Sequence, residues 1–385
     1  MIITSSPCLP KSTYHCGNAI SSTYCDLIAR YNYYVRNNKE IISIPTPWNL
    51  HGLPYEKMYF EETLSEGTYN QILEYANRFL LLAEHQTDCF LDRSNYNRSH
   101  SDTQKSFIEF TINCFRELIE KGYIIKYHSE WYIDTSRFLR NYNLSEIMYH
   151  VNCSPPYHKK SIVKESQTFD GLYPITKNRV FTVKMDYKGE IIHINPIFQS
   201  FVYPIYLSER FHEDNVSVLV GGDGFSSLKW QYYRQIIGVI LRDKAPIKTM
   251  AFHGTILGSD GKPMSKHSLN TILPSSIYAH NKDKNYLRYL LIRSISFNDI
   301  PLQINKVDAE YSIIKSKLRD ISNNLSPLSN ENEKILENVT HCMENYKYSL
   351  ALEYFYLYLK KTTFQKCEFT ALASKVKSLY SVFFI

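Results

Sequence analysis

Tyr14-His15-Cys16-Gly17-Asn18-Ala19 is the stretch on which the reading of the fold turns. Upstream, Ile2-Ile3-Thr4 reads as a short buried strand that Ser5-Ser6-Pro7 ends. Downstream, Ala19 to Tyr34 reads as a helix. A strand, a turn and a helix N-terminus carrying a His and a Gly make a seat for phosphate. Backbone N–H groups and the helix dipole face the anion, and Gly allows close approach. The imidazole adds a donor for developing negative charge. An ordinary strand-to-helix turn could carry the same letters, so the rest of the chain has to decide between the two.

Glu40-Ile41-Ile42-Ser43-Ile44 supplies a second strand, stopped by Pro45 and Pro47 and followed by Trp48-Asn49-Leu50-His51-Gly52-Leu53-Pro54. A loop at the C-terminal end of a parallel strand is where an α/β sheet places ligand groups. Helical spacing of Ile72, Tyr75, Ala76, Phe79, Leu80 and Ala83 predicts a helix within 66–90. Phe107, Phe110, Thr111, Cys114, Phe115 and Leu118 predict another over 102–121, ended by Gly122. Val216 to Val220 reads as a strand running into Gly221-Gly222-Asp223-Gly224. Two glycines and an acid after a strand let the backbone lie against a nucleoside while the carboxylate accepts from ribose hydroxyls. A helix over Leu228–Leu241 follows. Then comes a Gly-flanked loop containing Met264-Ser265-Lys266, whose lysine can close over a triphosphate and neutralise charge as pyrophosphate leaves. Beyond Pro274 the chain reads as helical, with two further helices over 306–325 and 330–361.

Composition bounds the class. A chain of 385 residues has room for two or three domains, and 44% apolar with 21% charged residues is ordinary for a globular protein. The net charge of +6 permits a polyanionic partner such as tRNA without requiring one. The 32 tyrosines, beside many Asn, Ile and Lys, fit AT-biased codon usage as well as a base-stacking surface. Eight scattered cysteines form no CxxC pair, so no zinc site and no other bound metal is expected, and reduced thiols are. No signal peptide is visible and no apolar run approaches the length of a membrane span, so a cytoplasmic protein with no membrane partner is expected.

Together, His15-Cys16-Gly17-Asn18 and Lys262-Pro263-Met264-Ser265-Lys266-His267 resemble the HIGH and KMSKS signatures of class I aminoacyl-tRNA synthetases, in the right order and at the right separation. Between them, His51-Gly52-Leu53-Pro54 resembles the family's GWDxHGLP loop. Phe115–Ile124 and Asn285–Leu291 are similar to segments of the methionyl enzymes. The resemblance covers nearly the whole chain and is nearest the methionyl group. It implies an α/β fold, a Rossmann-type parallel sheet of the HUP-like class I type, with a connective-peptide insertion and a C-terminal helical region. The implied divisions are 1–90 (first catalytic half), 91–174 (reduced insertion), 175–275 (second half with the KMSKS-like loop) and 276–385 (helical stem-contact region and truncated anticodon-binding-like bundle).

By that resemblance, ATP and Mg²⁺ are the expected cofactors. His15, Asn18 and Lys266 are the expected catalytic residues. His15, Gly17, Asn18, Gly221, Gly222, Asp223, Met264, Ser265 and Lys266 are expected to bind ATP, and Pro7, Leu9, Asn49, His51 and Leu228 the substrate. Departures concentrate on the amino-acid side. Leu9 replaces a Tyr, Asn49 replaces the Asp that holds the ammonium group, and Ile191–Pro196 lacks the family's Trp. Pro263 also replaces the first Lys of KMSKS. The expected activity is ATP-dependent activation of an amino acid or related carboxylate to an adenylate, passed to a non-tRNA small-molecule acceptor. Two alternatives stay open: a tRNA-charging enzyme with a divergent pocket, and a catalytically silent nucleotide- or tRNA-binding protein.

Overall fold

The computed structural model describes residues 1–10, 14–92, 97–222, 228–258, 260–264, 270–281, 283–327, 332–365 and 370–385. The chain opens with β1 (Ile2–Ser5), α1 (Cys16–Arg30), a wider π-type turn at Tyr31–Val35, β2 (Ile42–Ile44), α2 (Leu53–Thr63) and α3 (Tyr69–Asp88). α4 (Lys105–Glu120) leads into the hairpin β3 (Ile124–Tyr127) and β4 (Glu130–Asp134). The short helices α5 (Ser136–Asn141) and α6 (Leu144–His150), strand β5 (Asn152–Ser154) and α7 (Tyr157–Ser166) follow. β6 (Leu172–Pro174) joins β3 and β4 in an antiparallel sheet, and β7 (Val183–Tyr187) pairs with β8 (Glu190–Ile194). α8 (Pro196–Arg210), β9 (Val216–Gly222), α9 (Leu228–Arg242) and β10 (Thr249–His253) complete the α/β region.

The central sheet is parallel, in the order β2-β1-β9-β10-β5. Every residue of β1 is buried, as expected of a parallel strand covered on both faces. The edge strand β5 comes from within the stretch expected to belong to the insertion; Asn152, Cys153 and Ser154 pair with Thr249, Met250 and Ala251 of β10.

After β10 come β11 (Ile256–Leu257), α10 (Pro274–Asn281), α11 (Lys284–Arg293), β12 (Ile300–Pro301) and α12 (Ile304–Ser322). β13 (Ser326–Pro327), α13 (Glu333–Glu344), α14 (Tyr348–Lys361), β14 (Phe364–Gln365) and α15 (Ala371–Phe383) end the described chain. The single helix expected over 330–361 is thus two, broken where Tyr346 takes a left-handed backbone, φ +59°. Helix α15 packs back on α1 and the π-type turn. Its last carbonyls have no partner within the helix, and two buried arginines meet them. Arg30 Nη1 donates to Ser381 O (2.7 Å) and Phe384 O (3.0 Å), while Arg288 donates to Phe383 O (2.8 Å) and Val382 O (3.1 Å). Asp26 lies between the two guanidinium groups, 2.8 Å from Arg30 Nε and 2.7 Å from Arg288 Nη2. No described helix is long and apolar enough to cross a membrane.

Candidate functional site

β1 has β2 on one side and β9 on the other, so the strand order reverses there, and the carboxyl ends of β1 and β9 are where an open α/β sheet places its ligand crevice. Ser6 N–H donates to Val220 O at 2.8 Å across its floor. α1 begins at its edge. It starts at Cys16, three residues before the expected Ala19, because His15 is its N-cap, with φ −98° and ψ 170°. His15 O accepts from Asn18 N–H (2.8 Å) and Asn18 Oδ1 accepts from His15 N–H (3.3 Å). The imidazole lies back over Gly17: a Cβ there would stand 2.9 Å from His15 Nδ1. Of the fifteen residues of α1, only Gly17, Asn18 and Ser21 are not buried. They form one stripe at helical spacing.

Gly221 and Gly222 close β9 and pair with Phe252 and His253 of β10. A Cβ on Gly222 would lie 2.6 Å from His253 Cε1, so the ring edge rests directly on the glycine backbone. Asp223, Ser265 and Lys266, named from the sequence, lie outside the described residues. At the near end of the loop that carries Ser265 and Lys266, Gly258 N–H donates to Lys262 O at 2.8 Å. Asn270 Nδ2 bonds Asp260 Oδ1 (2.7 Å) and Pro263 O (3.2 Å). The Asn270 amide, aided by the Lys262 backbone N–H, holds the Asp260 carboxyl below its usual range. The Met264 side chain is not offered to the crevice. It is buried in the core that α1 and α11 share, where it fastens the loop to the body. At the far end Ile272 O accepts from Cys16 N–H at 2.8 Å.

The expected amino-acid side sits across the crevice. Cys8 N–H donates to Pro47 O (2.9 Å) and Asn49 N–H to Cys8 O (2.8 Å), which sets Pro7–Leu9 beside Asn49. Asn49 Oδ1 is buried and has no hydrogen-bond partner among the described residues. Leu9 packs against a cluster of Leu50, Tyr55 and Phe181. Leu228 begins α9, and its side chain lies outside the described residues.

His51 belongs to the scaffold beneath this side. It is 2% exposed, and its ring nitrogens are taken by Gln199 Oε1 (Nδ1, 2.9 Å) and Tyr69 OH (Nε2, 2.9 Å). Asp102, which the sequence did not single out, accepts the backbone N–H groups of Leu50 (2.7 Å) and His51 (3.1 Å). Only its position at the start of a predicted helix could have signalled it.

The fold is shared with solved structures. Mycobacterium tuberculosis methionyl-tRNA synthetase bound by methionyl-adenylate superposes with a TM-score of 0.70 at 12% identity, covering 99% of this chain and 88% of that one. A second complex of the same enzyme with methionyl-adenylate gives 0.71 at 13% identity.

The fold is that of the class I aminoacyl-tRNA synthetases.

Residues 200–303 match the family described as tRNA synthetases class I (I, L, M and V). Mitochondrial isoleucine–tRNA ligase of Gallus gallus is 26% identical over 136 residues, which is 32% of this chain and 14% of that protein. The Mus musculus ligase is 26% identical over 136 residues, 13% of its length. The chain therefore matches only a small part of these curated relatives. The two superposed structures are of a methionyl enzyme, while the sequence matches are to isoleucyl enzymes.

Proposed function

We propose that this chain activates an amino acid with ATP, forming an aminoacyl-adenylate and pyrophosphate, and passes the aminoacyl group to a tRNA. The observation that carries the reading is that the His15–Gly17 helix start follows β1 and the paired glycines end β9, the two neighbouring strands at which the strand order reverses. The substrate carboxylate is itself the nucleophile, so no general base is required. It attacks the α-phosphorus in line and pyrophosphate leaves. The α1 N-terminus and the His15 imidazole stabilise the phosphates, and Lys266 carries positive charge to the leaving group.

Asn49 Oδ1, buried and unpartnered among the described residues, suits an ammonium donor of the amino acid. A neutral amide accepts that hydrogen bond without the ion-pair attraction a carboxylate would add. Mg²⁺ would enter as the partner of the ATP phosphates.

The relatives' names favour tRNA over the small-molecule acceptor expected from the sequence. Incubation with total tRNA, ATP and labelled amino acids tests this acceptor. Acid-precipitable label that RNase releases supports it. Turnover of adenylate without such label returns the reading to a small acceptor.

A further inference from the structure

Helices α8 and α9 bury between them a positive charge that no described residue balances. Pro204 sits inside α8 and brings no N–H, so the Ser200 carbonyl one turn earlier lacks its helical donor. Arg234 of α9 supplies one: its Nε donates to Ser200 O at 3.0 Å, and its Nη1 donates to Gln231 Oε1 at 2.9 Å. A neutral side chain could fill both places. The guanidinium brings a full charge as well, and Arg234 is only 5% exposed. Burial pushes the group down to about 10, opposed by Tyr203 alone, and no carboxylate among the described residues pairs with it. Nη2 makes no hydrogen bond among those residues. A buried charge without a counter-charge is unfavourable, and a ligand that supplies one removes the penalty on binding.

The position of the charge says which ligand. The bond to Gln231, one turn earlier, turns the guanidinium towards the N-terminus of α9, which follows the carboxyl end of β9. Tyr203, its neighbour, hydrogen-bonds Thr4 Oγ1 at 2.9 Å, one residue short of the end of β1. α8 begins at Pro196, whose ring would stand 3.3 Å from a Cβ on Gly52, in the loop that carries Asn49. The phosphate seat at the start of α1 is on the other face of the sheet: Ile3 joins the core of α1, and Ile2 the core of α8 and α9. The guanidinium thus lies beneath the amino-acid side of the crevice.

We propose that Arg234 is a substrate-specificity residue that receives the side-chain carboxylate of an acidic amino acid. This rests on the activation reading and names its substrate class: the α-carboxylate reacts with ATP while the second carboxylate meets Arg234. The family that matches is named for I, L, M and V, whose apolar side chains would leave the guanidinium unpaired.

The test measures binding of labelled aspartate, glutamate, asparagine, glutamine, methionine and isoleucine by equilibrium dialysis, with pyrophosphate exchange run in parallel on each. The wild-type chain is expected to bind aspartate or glutamate on the order of 100-fold more tightly than the corresponding amide. Arg234→Gln keeps an N–H donor and removes the charge. It should weaken the acid by roughly 100-fold and leave the amide little changed. Arg234→Lys, which keeps the charge without the planar fork, should retain part of the preference. A residue that only braces α8 would shift urea unfolding in both variants and leave the order of the amino acids as it was.

Equal binding of acid and amide by wild type, tighter binding of methionine or isoleucine, or an undiminished preference in a folded Arg234→Gln chain would overturn the proposal. Failure of the activation reading looks different. An acidic amino acid bound through Arg234 without exchange would contradict activation and leave this contact standing. Exchange with an apolar amino acid alone would support activation and overturn the acidic substrate.

Discussion

The Cys16 backbone amide donates to the Ile272 carbonyl at 2.8 Å, so the first residue of α1 is tied to the far end of the loop that carries Lys266. The other end of that loop leaves β11, where Ile256 stands against the same helix start: a Cβ on Gly17 would lie 3.9 Å from Ile256 Cβ. Two signatures some 250 residues apart in sequence are thereby one structural unit. A shift in the start of α1 should reach the loop, and the reverse.

Gly17→Ala isolates the first signature. The added methyl would press on His15 Nδ1, and the ring would have to leave the helix start. Alanine is also a better helix former, by up to about 1 kcal/mol. Pyrophosphate exchange should fall by roughly 100- to 1000-fold, the loss typical of a displaced transition-state donor. Thermal unfolding should stay within a few degrees of wild type. A parallel loss of both would mean that Gly17 serves folding alone.

His51 is expected to behave as scaffold. His51→Ala strips partners from Gln199 and Tyr69 beneath the loop. Urea unfolding should show a loss of roughly 2–3 kcal/mol, in the range for buried polar groups left unpaired. A stable variant whose defect is confined to kcat would instead place His51 on the substrate.

Asn49→Asp restores a carboxylate where an ammonium group is expected. KM for the amino acid should fall several-fold if Asn49 Oδ1 faces that group, because a hydrogen bond to a neutral amide becomes an ion pair with a carboxylate. Unchanged KM would remove Asn49 from the substrate site.

The Arg30–Asp26–Arg288 cluster should hold α15 on α1. Arg288→Met leaves Asp26 with one partner fewer and exposes no water to the carbonyls of Val382 and Phe383. The expected cost is about 3–5 kcal/mol by urea unfolding, the usual penalty for breaking a buried ion pair from one side.

His100 makes the fold sensitive to acid. Burial pushes its imidazole down to about 4, opposed by Asp102 and assisted by Arg210. Phe107, Tyr203 and Tyr206 surround the ring. The folded chain keeps it neutral, whereas the unfolded chain protonates it below its ordinary value of 6.5. Stability is therefore intact above pH 6.5 and declines as the pH falls towards 4, by roughly 3 kcal/mol from this group. His100→Phe should flatten that part of a stability-versus-pH curve.

What the sequence disclosed follows from where its signals are local. Ile2-Ile3 in β1 and Val218-Leu219-Val220 in β9 are short apolar runs, and the start of α1 is a His-x-Gly turn, so the core of the nucleotide side was legible. β5 is three residues of polar character, a strand only because the open edge of β10 supplies its hydrogen bonds. α2 buries Tyr55 alone, so hydrophobic periodicity had nothing to report there. The break between α13 and α14 carries neither Gly nor Pro; Lys347 N–H instead reaches back to Cys342 O at 2.8 Å. The scaffold around His51 joins Tyr69, Asp102 and Gln199, residues brought together only by the fold. Ser200 and Arg234, on separate helices, are equally silent in the sequence.

The most direct measurement is ATP–pyrophosphate exchange with the twenty amino acids and a panel of non-standard analogues, with His15→Ala and Lys266→Ala as controls. The account predicts exchange with one amino acid or a narrow set, lost in both variants while their folds persist. No exchange with any carboxylate, from a folded chain that binds ATP, would contradict the activation chemistry and leave a nucleotide-binding protein on a synthetase fold.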